Sequence, residues 1–203
     1  MEPHGWEGQR IRLATPTRQY ELEIALLGDH QAKNLGLAVR AAESLASQGF
    51  GRLDAGAIAA GAAACRWPGR LEPVALPGGR RVLLDAAHNP DGAAVLARFL
   101  GRLDRPVDLL FGVLADKDYG EMLPRLAVHA RRVVLTRPAS PRAKDPAELV
   151  SLLDGREGVL VENDPDRALA LGGEVLVACG SIFLVGEVRK ALRERFGVPD
   201  TIL

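Results

Sequence analysis

A polar segment separates a predicted strand from a predicted helix near the middle of the chain. Residues 81–84 form a short apolar run, and Asp85, His88 and Asn89 follow it, just before Pro90 at a predicted helix start. Open α/β sheets bind ligands at the carboxyl ends of their strands, where helix amino termini offer N–H groups to anions. The segment predicts a ligand site, with local capping bonds by Asp85 and Asn89 as the structural alternative.

Three more predicted strand ends carry side chains that could bind an anion. Lys117, Arg142 and Ser181 each follow such a strand. A lysine places a point charge near a phosphoryl group or carboxylate, and an arginine offers paired donors to an acidic substrate. Each residue also has an ordinary interpretation as a solvated loop residue or a helix cap. Together with Asp85, these residues are predicted to converge on one edge of one sheet.

Two further candidate positions lie in the first third of the chain. His30 and Asn34 share one face of a helix predicted over 30–49, close to its amino terminus, where capping and solvated surface are the alternative interpretation. Arg70 follows a Trp-Pro-Gly turn in a connector. It could swing over a phosphate, or it could stack on Trp67.

The pattern of apolar residues predicts how these positions are held. An antiparallel hairpin over 10–14 and 20–27 and helices over 30–49 and 54–65 come first, and the Pro-Gly turn then marks a domain boundary. Beyond it five strands alternate with helices, and most of the strands are continuous apolar runs. The predicted strands are 81–85, 107–112, 132–136, 158–161 and 174–179; the predicted helices are 90–103, 118–130, 145–154, 165–171 and 181–195. This order predicts a doubly wound, Rossmann-like α/β domain with a mostly parallel sheet.

Composition narrows the class of function. Lys and Arg total 26 and balance 26 Asp and Glu, so no nucleic-acid or anionic-membrane partner is expected. Cys65 and Cys179 lie far apart without metal-type spacing, so no metal site is expected within this sequence. The most apolar segment, 175–185, is too short to span a bilayer, and a cytoplasmic location is expected.

Five motifs in order resemble the folylpolyglutamate synthase/dihydrofolate synthase family, which is related to the Mur ligases. Together they run from about Gly28 to Arg189, and the first two favour the folate branch. The motifs are Gly28-Asp29-His30-Gln31-Ala32-Lys33-Asn34, Trp67-Pro68-Gly69-Arg70-Leu71-Glu72, Leu84-Asp85-Ala86-Ala87-His88-Asn89-Pro90, Phe111-Gly112 with Asp116-Lys117-Asp118, and Gly180-Ser181 with Leu184-Val185-Gly186-Glu187-Val188-Arg189.

The resemblance implies an ATP- and Mg²⁺-dependent ligase that joins L-glutamate to folate or dihydropteroate through an acyl phosphate. Arginine, lysine and helix amino termini suit the anionic groups in that chemistry. By resemblance, the nucleotide would be bound by His30, by Asn34 at the adenine, by Asp85 at the ribose and by Arg70 at the phosphates. His88 would lie near the transferred phosphoryl group or the incoming glutamate, Lys117 would serve the reaction centre, and Ser181 would bind a glutamate carboxylate.

The resemblance also implies a division of the chain. Residues 1–69 resemble the tail of the family's central ATPase domain, and residues 70–203 resemble its carboxy-terminal glutamate-binding domain. The sequence contains no Gly-Lys pair, so the phosphate-binding loop and most Mg²⁺ ligands are expected outside it. A chain that carries this loop is a candidate partner, and the present sequence is not expected to catalyse ligation alone. The alternatives are a stand-alone, non-catalytic nucleotide- or anion-binding module and part of another Mur-type amino-acid ligase.

Overall fold

The computed structural model describes residues 2–3 and 5–199, and the chain divides into two compact units. The first unit extends to Pro68, and the second begins at Gly69. Residues 1, 4 and 200–203, which belong to the ends of the predicted domains 1–69 and 70–203, lie outside the described residues. Within the described part of the chain, no helix is long and apolar enough to cross a membrane.

The first unit contains a three-stranded antiparallel sheet and two helices. Its elements are β1 Glu2–Pro3, β2 Gln9–Ala14, β3 Gln19–Ile24, α1 His30–Ser47 and α2 Ala55–Ala64. Buried Tyr20, Leu22 and Ile24 alternate with exposed residues in β3, as a sheet with one covered face requires. The predicted hairpin is confirmed, although its second strand ends at Ile24 rather than at residue 27.

Glu43 on α1 ties this helix to the turn between β2 and β3. Its carboxylate accepts hydrogen bonds from the hydroxyls of Thr15 at 2.7 Å and Tyr20 at 3.1 Å, from Arg40 at 2.6 Å, and from the Thr17 hydroxyl. These bonds, that from Thr17 foremost, lower the pKa of Glu43 from its usual 4.5 to about 2. The folded unit therefore stabilises the ionised form of Glu43 relative to the protonated form.

The second unit is built on a six-stranded sheet with helices on both faces. The sheet order is β4-β5-β9-β6-β7-β8, and every neighbouring pair is parallel except β4 with β5. The strands are β4 Glu72–Ala75, β5 Arg81–Asp85, β6 Val107–Phe111, β7 Ala130–Leu135, β8 Val159–Val161 and β9 Val175–Cys179. The helices are α3 Pro90–Leu100, α4 Tyr119–Ala127, α5 Pro146–Leu149, α6 Pro165–Ala170 and α7 Ile182–Phe196. The predicted doubly wound, mostly parallel α/β fold is confirmed.

The two faces of this sheet are covered by different helices. One face packs against α6 and α7 in a cluster that includes Leu84, Leu110 and Leu176. Side chains alternate between faces along a strand, so Leu83 and Leu109 point to the other face, where they are also fully buried. Helix α4 contacts β6 and β7 and packs against α3, so α3 and α4 cover that second face.

Several predicted boundaries differ from those of the structure. The region predicted as one helix over 145–154 is a single turn of α-helix, α5, followed by a 3₁₀ turn at Val150–Leu153. The helix predicted over 90–103 ends at Leu100, and that predicted over 118–130 ends at Ala127, where β7 begins three residues later. Strand β4 was not predicted, because its Pro73 and its place after a Pro-Gly turn are typical of a connector.

The lowered pKa of Glu43 predicts an acid-sensitive contribution to the stability of the first unit. The contribution is complete above about pH 4.5 and is lost as the pH falls toward about 2, because the unfolded chain then takes up the proton first. We expect Glu43→Gln to speed hydrogen exchange of the β3 amides at neutral pH and to have a smaller effect near pH 2. Glu21→Gln, at a side chain that is 56% exposed, is the matched control; an equal effect of both substitutions at neutral pH would contradict the interpretation.

Candidate anion-binding site

The carboxyl ends of β5 and β9 lie side by side, at the point where their connections leave the sheet on opposite faces. The chain after β5 enters α3, and the chain after β9 enters α7 on the other face. Such a divergence opens a crevice at the sheet edge, which is the usual ligand site of open α/β sheets. The polar segment after β5 and the start of α7 therefore border the same crevice.

A pocket of about 210 Å³ opens at this edge of the second unit. Leu114, Ile182 and Phe183 form much of its apolar wall. Its polar side chains are Arg70, His88, Lys117, Arg142 and Ser181. Three permanent or near-permanent positive charges thus share a pocket with the amino terminus of α7, an arrangement suited to a carboxylate or a phosphoryl group.

Lys117 and Arg142 are held together by the carboxylate of Asp116. The Lys117 ammonium lies 3.0 Å from one oxygen of Asp116, and the Arg142 guanidinium lies 3.6 Å from the other. The hydrogen bond from Lys117 is the main cause that lowers the pKa of Asp116. One aspartate therefore offsets part of the repulsion between two cations on neighbouring loops.

Ser181 and His88 present polar atoms at the centre of the edge. Ser181 is 2% exposed, and its Oγ caps α7 by accepting a hydrogen bond from the Phe183 N–H at 3.1 Å. Its own hydroxyl hydrogen is not used by that bond and can be donated to an anion. The His88 Nδ1 lies 2.9 Å from the carbonyl oxygen of Ala86; because a carbonyl only accepts, Nδ1 carries the hydrogen and Nε2 is the other nitrogen available to a ligand.

Because Gly180 has no side chain, the ends of β9 and β6 can lie close together at the pocket. Its φ of +104° lies in the region that favours glycine, and a Cβ there would meet the carbonyl oxygen of Gly112 at 2.6 Å. The Gly180 N–H donates to the carbonyl oxygen of Ala87 at 3.1 Å. A larger residue at 180 would force the two strand ends apart.

The family comparison agrees with this geometry. The description of the family that matches residues 69–185 is "Mur ligase, glutamate ligase domain", and the match covers more than half of the chain. The chain belongs to the Mur ligase family. The match lies within the second unit, whose mostly parallel sheet is that of the Mur ligase carboxy-terminal domain.

Similar proteins carry the names of the folate branch. The folylpolyglutamate synthase of Lacticaseibacillus casei is 35% identical over 198 residues, which cover 93% of this chain and 44% of that protein. The crystal structure of folylpolyglutamate synthase from Thermotoga maritima matches with a TM-score of 0.80 and 33% identity, over 91% of this chain and 43% of that one. A Mycobacterium tuberculosis folylpolyglutamate synthase complexed with ADP matches with a TM-score of 0.79 and 31% identity, over 91% and 45% of the respective chains. This Mur ligase chain spans less than half the length of these relatives.

The environment of Asp85 differs from the ligand site that the sequence predicts for it. This residue is not among those that line the pocket. Asp85 is 8% exposed, and its carboxylate accepts hydrogen bonds from the N–H groups of Leu71 and Ala87, each at 2.9 Å. Burial is the main influence on this group, and it raises the pKa of Asp85. In this Mur ligase chain the carboxylate thus holds two backbone segments at the sheet edge.

His30 and Asn34 belong to the first unit. His30 is the first residue of α1, and the Asn34 amide donates to Oε1 of the buried Gln31 at 3.0 Å. Gln31 and Asn34 are the polar members of a mostly apolar cavity of about 380 Å³ within this unit. An amide beside a wide apolar surface could receive a flat, partly polar ring.

No metal site is evident in the described residues. Across 2–3 and 5–199, no group of three or more His, Cys, Asp or Glu side chains could hold a metal ion. Beside the pocket, the carboxylate of Asp116 is paired with Lys117.

Glu187 belongs to the fifth motif, but the sequence did not indicate its role in supporting the loop that carries Arg142. Both of its oxygens accept the N–H of Ala139, at 3.1 and 3.0 Å, and so fix the loop after β7 to α7. The same loop is joined to the loop after β6, because Ala115 N–H donates to the Arg142 carbonyl at 2.8 Å. Glu187 thereby helps to hold Arg142 and Lys117 at one wall.

Loss of Glu187 is expected to loosen this wall. In Glu187→Ala the Ala139 amide loses its charged acceptor, and we expect its hydrogen exchange to rise about tenfold or more. Glu194→Ala is a matched control on the same helix, because Glu194 is 64% exposed and its ion pair with Lys190 is long, at 3.9 Å. Unchanged exchange at Ala139 in Glu187→Ala would show that Glu187 does not hold the loop.

Proposed function

We propose that this chain is the carboxy-terminal part of an ATP-dependent ligase that adds L-glutamate to folate or dihydropteroate. The observation that carries the proposal is the pocket in which Arg70, Lys117 and Arg142 meet the amino terminus of α7. The folate-branch names of the relatives, and the ADP bound by one of them, support the substrate classes. The five motifs of the first subsection lie in both units and agree with this branch.

In that reaction ATP supplies the phosphoryl group that activates the substrate carboxylate as an acyl phosphate. The amine of glutamate then attacks the carbonyl carbon, a C–N bond forms, the C–O bond to phosphate breaks, and one amine proton is lost. Negative charge accumulates on phosphoryl oxygens and on the carbonyl oxygen. Fixed positive charges and N–H dipoles at those oxygens lower the barrier more than water can, because they do not have to reorient.

The pocket residues suit separate parts of this task. Arg70 offers a planar pair of donors for phosphate oxygens, and Lys117 offers a point charge. Ser181 and the free N–H groups of α7 suit a glutamate carboxylate. His88, with its hydrogen on Nδ1, can accept a proton from the attacking amine at Nε2 or donate one when charged.

The pocket volume supports a site for the reacting ends of the substrates. At about 210 Å³ it is smaller than the roughly 300–1,000 Å³ of pockets that enclose a drug-sized ligand. A phosphoryl group or an amino-acid carboxylate matches its size and charge, whereas a whole nucleotide needs further surface. We assign the ribose contact to Asp85; the nucleotide contacts of His30 and Asn34 stay predictions from the sequence.

The ribose role of Asp85 requires an oxygen that can take a second donor. Each carboxylate oxygen of Asp85 already accepts one backbone N–H. An ionised oxygen can accept more than one hydrogen bond, so a ribose hydroxyl can join the existing pair. At 8% exposure, only a small part of the residue is open to such a hydroxyl.

We further propose that the two units correspond to two domains of the longer relatives. Residues 1–69 are assigned to the tail of the central ATPase domain, and residues 70–203 to the glutamate-binding domain. The division after Pro68 and the family match that starts at residue 69 support this assignment. Mg²⁺ and a chain or segment with a phosphate-binding loop are then expected partners of the reaction.

Calorimetric titration of the purified chain with ATP and magnesium tests the proposal. Arg70→Ala removes a charged pair of donors from phosphate, and we expect the affinity to fall about tenfold or more. Asp85→Ala should also weaken binding. Arg125→Ala is the control, because Arg125 lies on α4 and pairs with exposed Glu121 at 2.8 Å. Wild-type affinity in Arg70→Ala, or an equal loss in Arg125→Ala, would contradict a nucleotide site at this pocket.

A further inference from the structure

Arg70 lies in a turn whose backbone conformation depends on contacts with surrounding residues. Gly69 and Leu71, its two chain neighbours, have φ values of 67° and 44°. The second value is uncommon for a residue with a side chain, and it persists only where surrounding contacts impose it. Leu71 is 1% exposed, so its side chain is anchored in the core of the second unit while Arg70 points from the turn into the pocket.

Two carboxylates bind the peptide groups on either side of Arg70. Glu72 Oε2 accepts the N–H of Gly69 at 2.8 Å, and Asp85 Oδ2 accepts the N–H of Leu71 at 2.9 Å. The Gly69 carbonyl oxygen in turn accepts the N–H of Ala86 at 2.8 Å. A Cβ on Gly69 would lie 3.1 Å from Val185 Cγ1, so the turn also packs closely on α7.

Glu72 is itself fixed by an ion pair with α7. The guanidinium of Arg189 contacts Glu72 Oε2, the same oxygen that accepts the Gly69 N–H. The side chains are only 11% and 19% exposed, for Glu72 and Arg189 respectively, so the pair is poorly screened by water. The residues are 117 positions apart in sequence, and the pair joins the turn at Arg70 to the helix whose amino terminus borders the pocket.

We propose that Glu72 and Arg189 are positioning residues for Arg70, acting through the Gly69 peptide. This inference rests on the proposed function, in which Arg70 binds an anionic group in the pocket. A guanidinium can present two parallel N–H donors to one phosphate or carboxylate only when the backbone that carries it is fixed. The ion pair fixes this backbone, because Arg189 orients the Glu72 carboxylate and the carboxylate holds the turn.

An alternative role for the pair is a simple link between β4 and α7, and charge exchange separates the two roles. In the double variant Glu72→Arg with Arg189→Glu, opposite charges face each other again, but no carboxylate at position 72 can accept the Gly69 N–H. The exchange would restore an ion pair that only links β4 to α7. It would not restore the hydrogen bond by which a carboxylate at position 72 holds the turn that carries Arg70.

The test combines binding of ATP with magnesium and hydrogen exchange at the Gly69 amide, in the full chain. We expect Glu72→Ala to weaken binding about tenfold and to speed Gly69 exchange, and Glu72→Gln, which keeps an acceptor oxygen, to do so less, by about threefold. The double exchange is expected to bind as weakly as Glu72→Ala. Glu121→Ala, which breaks the exposed pair with Arg125, is the matched control and should bind like the unmutated chain.

The outcomes distinguish this inference from the function on which it rests. Unchanged exchange of the β5 and β9 amides confirms that each variant is folded. Weak binding by Arg70→Ala together with normal binding by Glu72→Ala, or recovery of affinity in the double exchange, would overturn the positioning role alone. Normal binding by Arg70→Ala would overturn the proposed anion site, and the positioning role with it.

Discussion

The main constraint on the pocket of the second unit is that three positive side chains share it. Arg70, Lys117 and Arg142 line one small pocket, and like charges at such distances repel each other. Carboxylates behind the pocket offset this repulsion. Asp116 bridges Lys117 and Arg142, while Glu72 and Asp85 hold the peptide groups beside Arg70 rather than its charge. Asp116 thus offsets charge between two of the cations, and Glu72 and Asp85 fix the backbone of the turn that carries the third.

Helix α7 connects most of these groups. Its amino terminus and its cap Ser181 border the pocket, Glu187 holds the loop that carries Arg142, and Arg189 holds the turn that carries Arg70. The buried face of the same helix, with Leu184, Val188 and Leu192, packs on the sheet beside α6. Because one rigid element carries the cap and both anchors, the pocket walls are fixed relative to each other by hydrophobic packing as well as by ion pairs.

The fold could be predicted further from the sequence than the site could. Mostly apolar runs such as 107–111 favour strands that are covered on both faces, and their alternation with helical patterns predicts the parallel sheet. Strand β4 escaped prediction because its pairing with β5 is a tertiary contact and its Pro73 is typical of a connector. Lys117, Arg142 and Ser181 could be placed at the sheet edge by counting strand ends. The anchoring by Glu72, Arg189 and Glu187 could not, since each contact joins residues 48 or more positions apart or closes a turn of unusual φ.

The most direct test of the account is a crystal structure of this chain grown with a non-hydrolysable ATP analogue and magnesium. The account predicts that the terminal phosphate lies in the pocket between the carboxyl ends of β5 and β9. Its oxygens should lie within hydrogen-bonding distance of Arg70 and Lys117, with Gly69 still bound to Glu72. A nucleotide whose phosphates lie away from this edge, with Arg70 and Lys117 making no contact to them, would contradict the account.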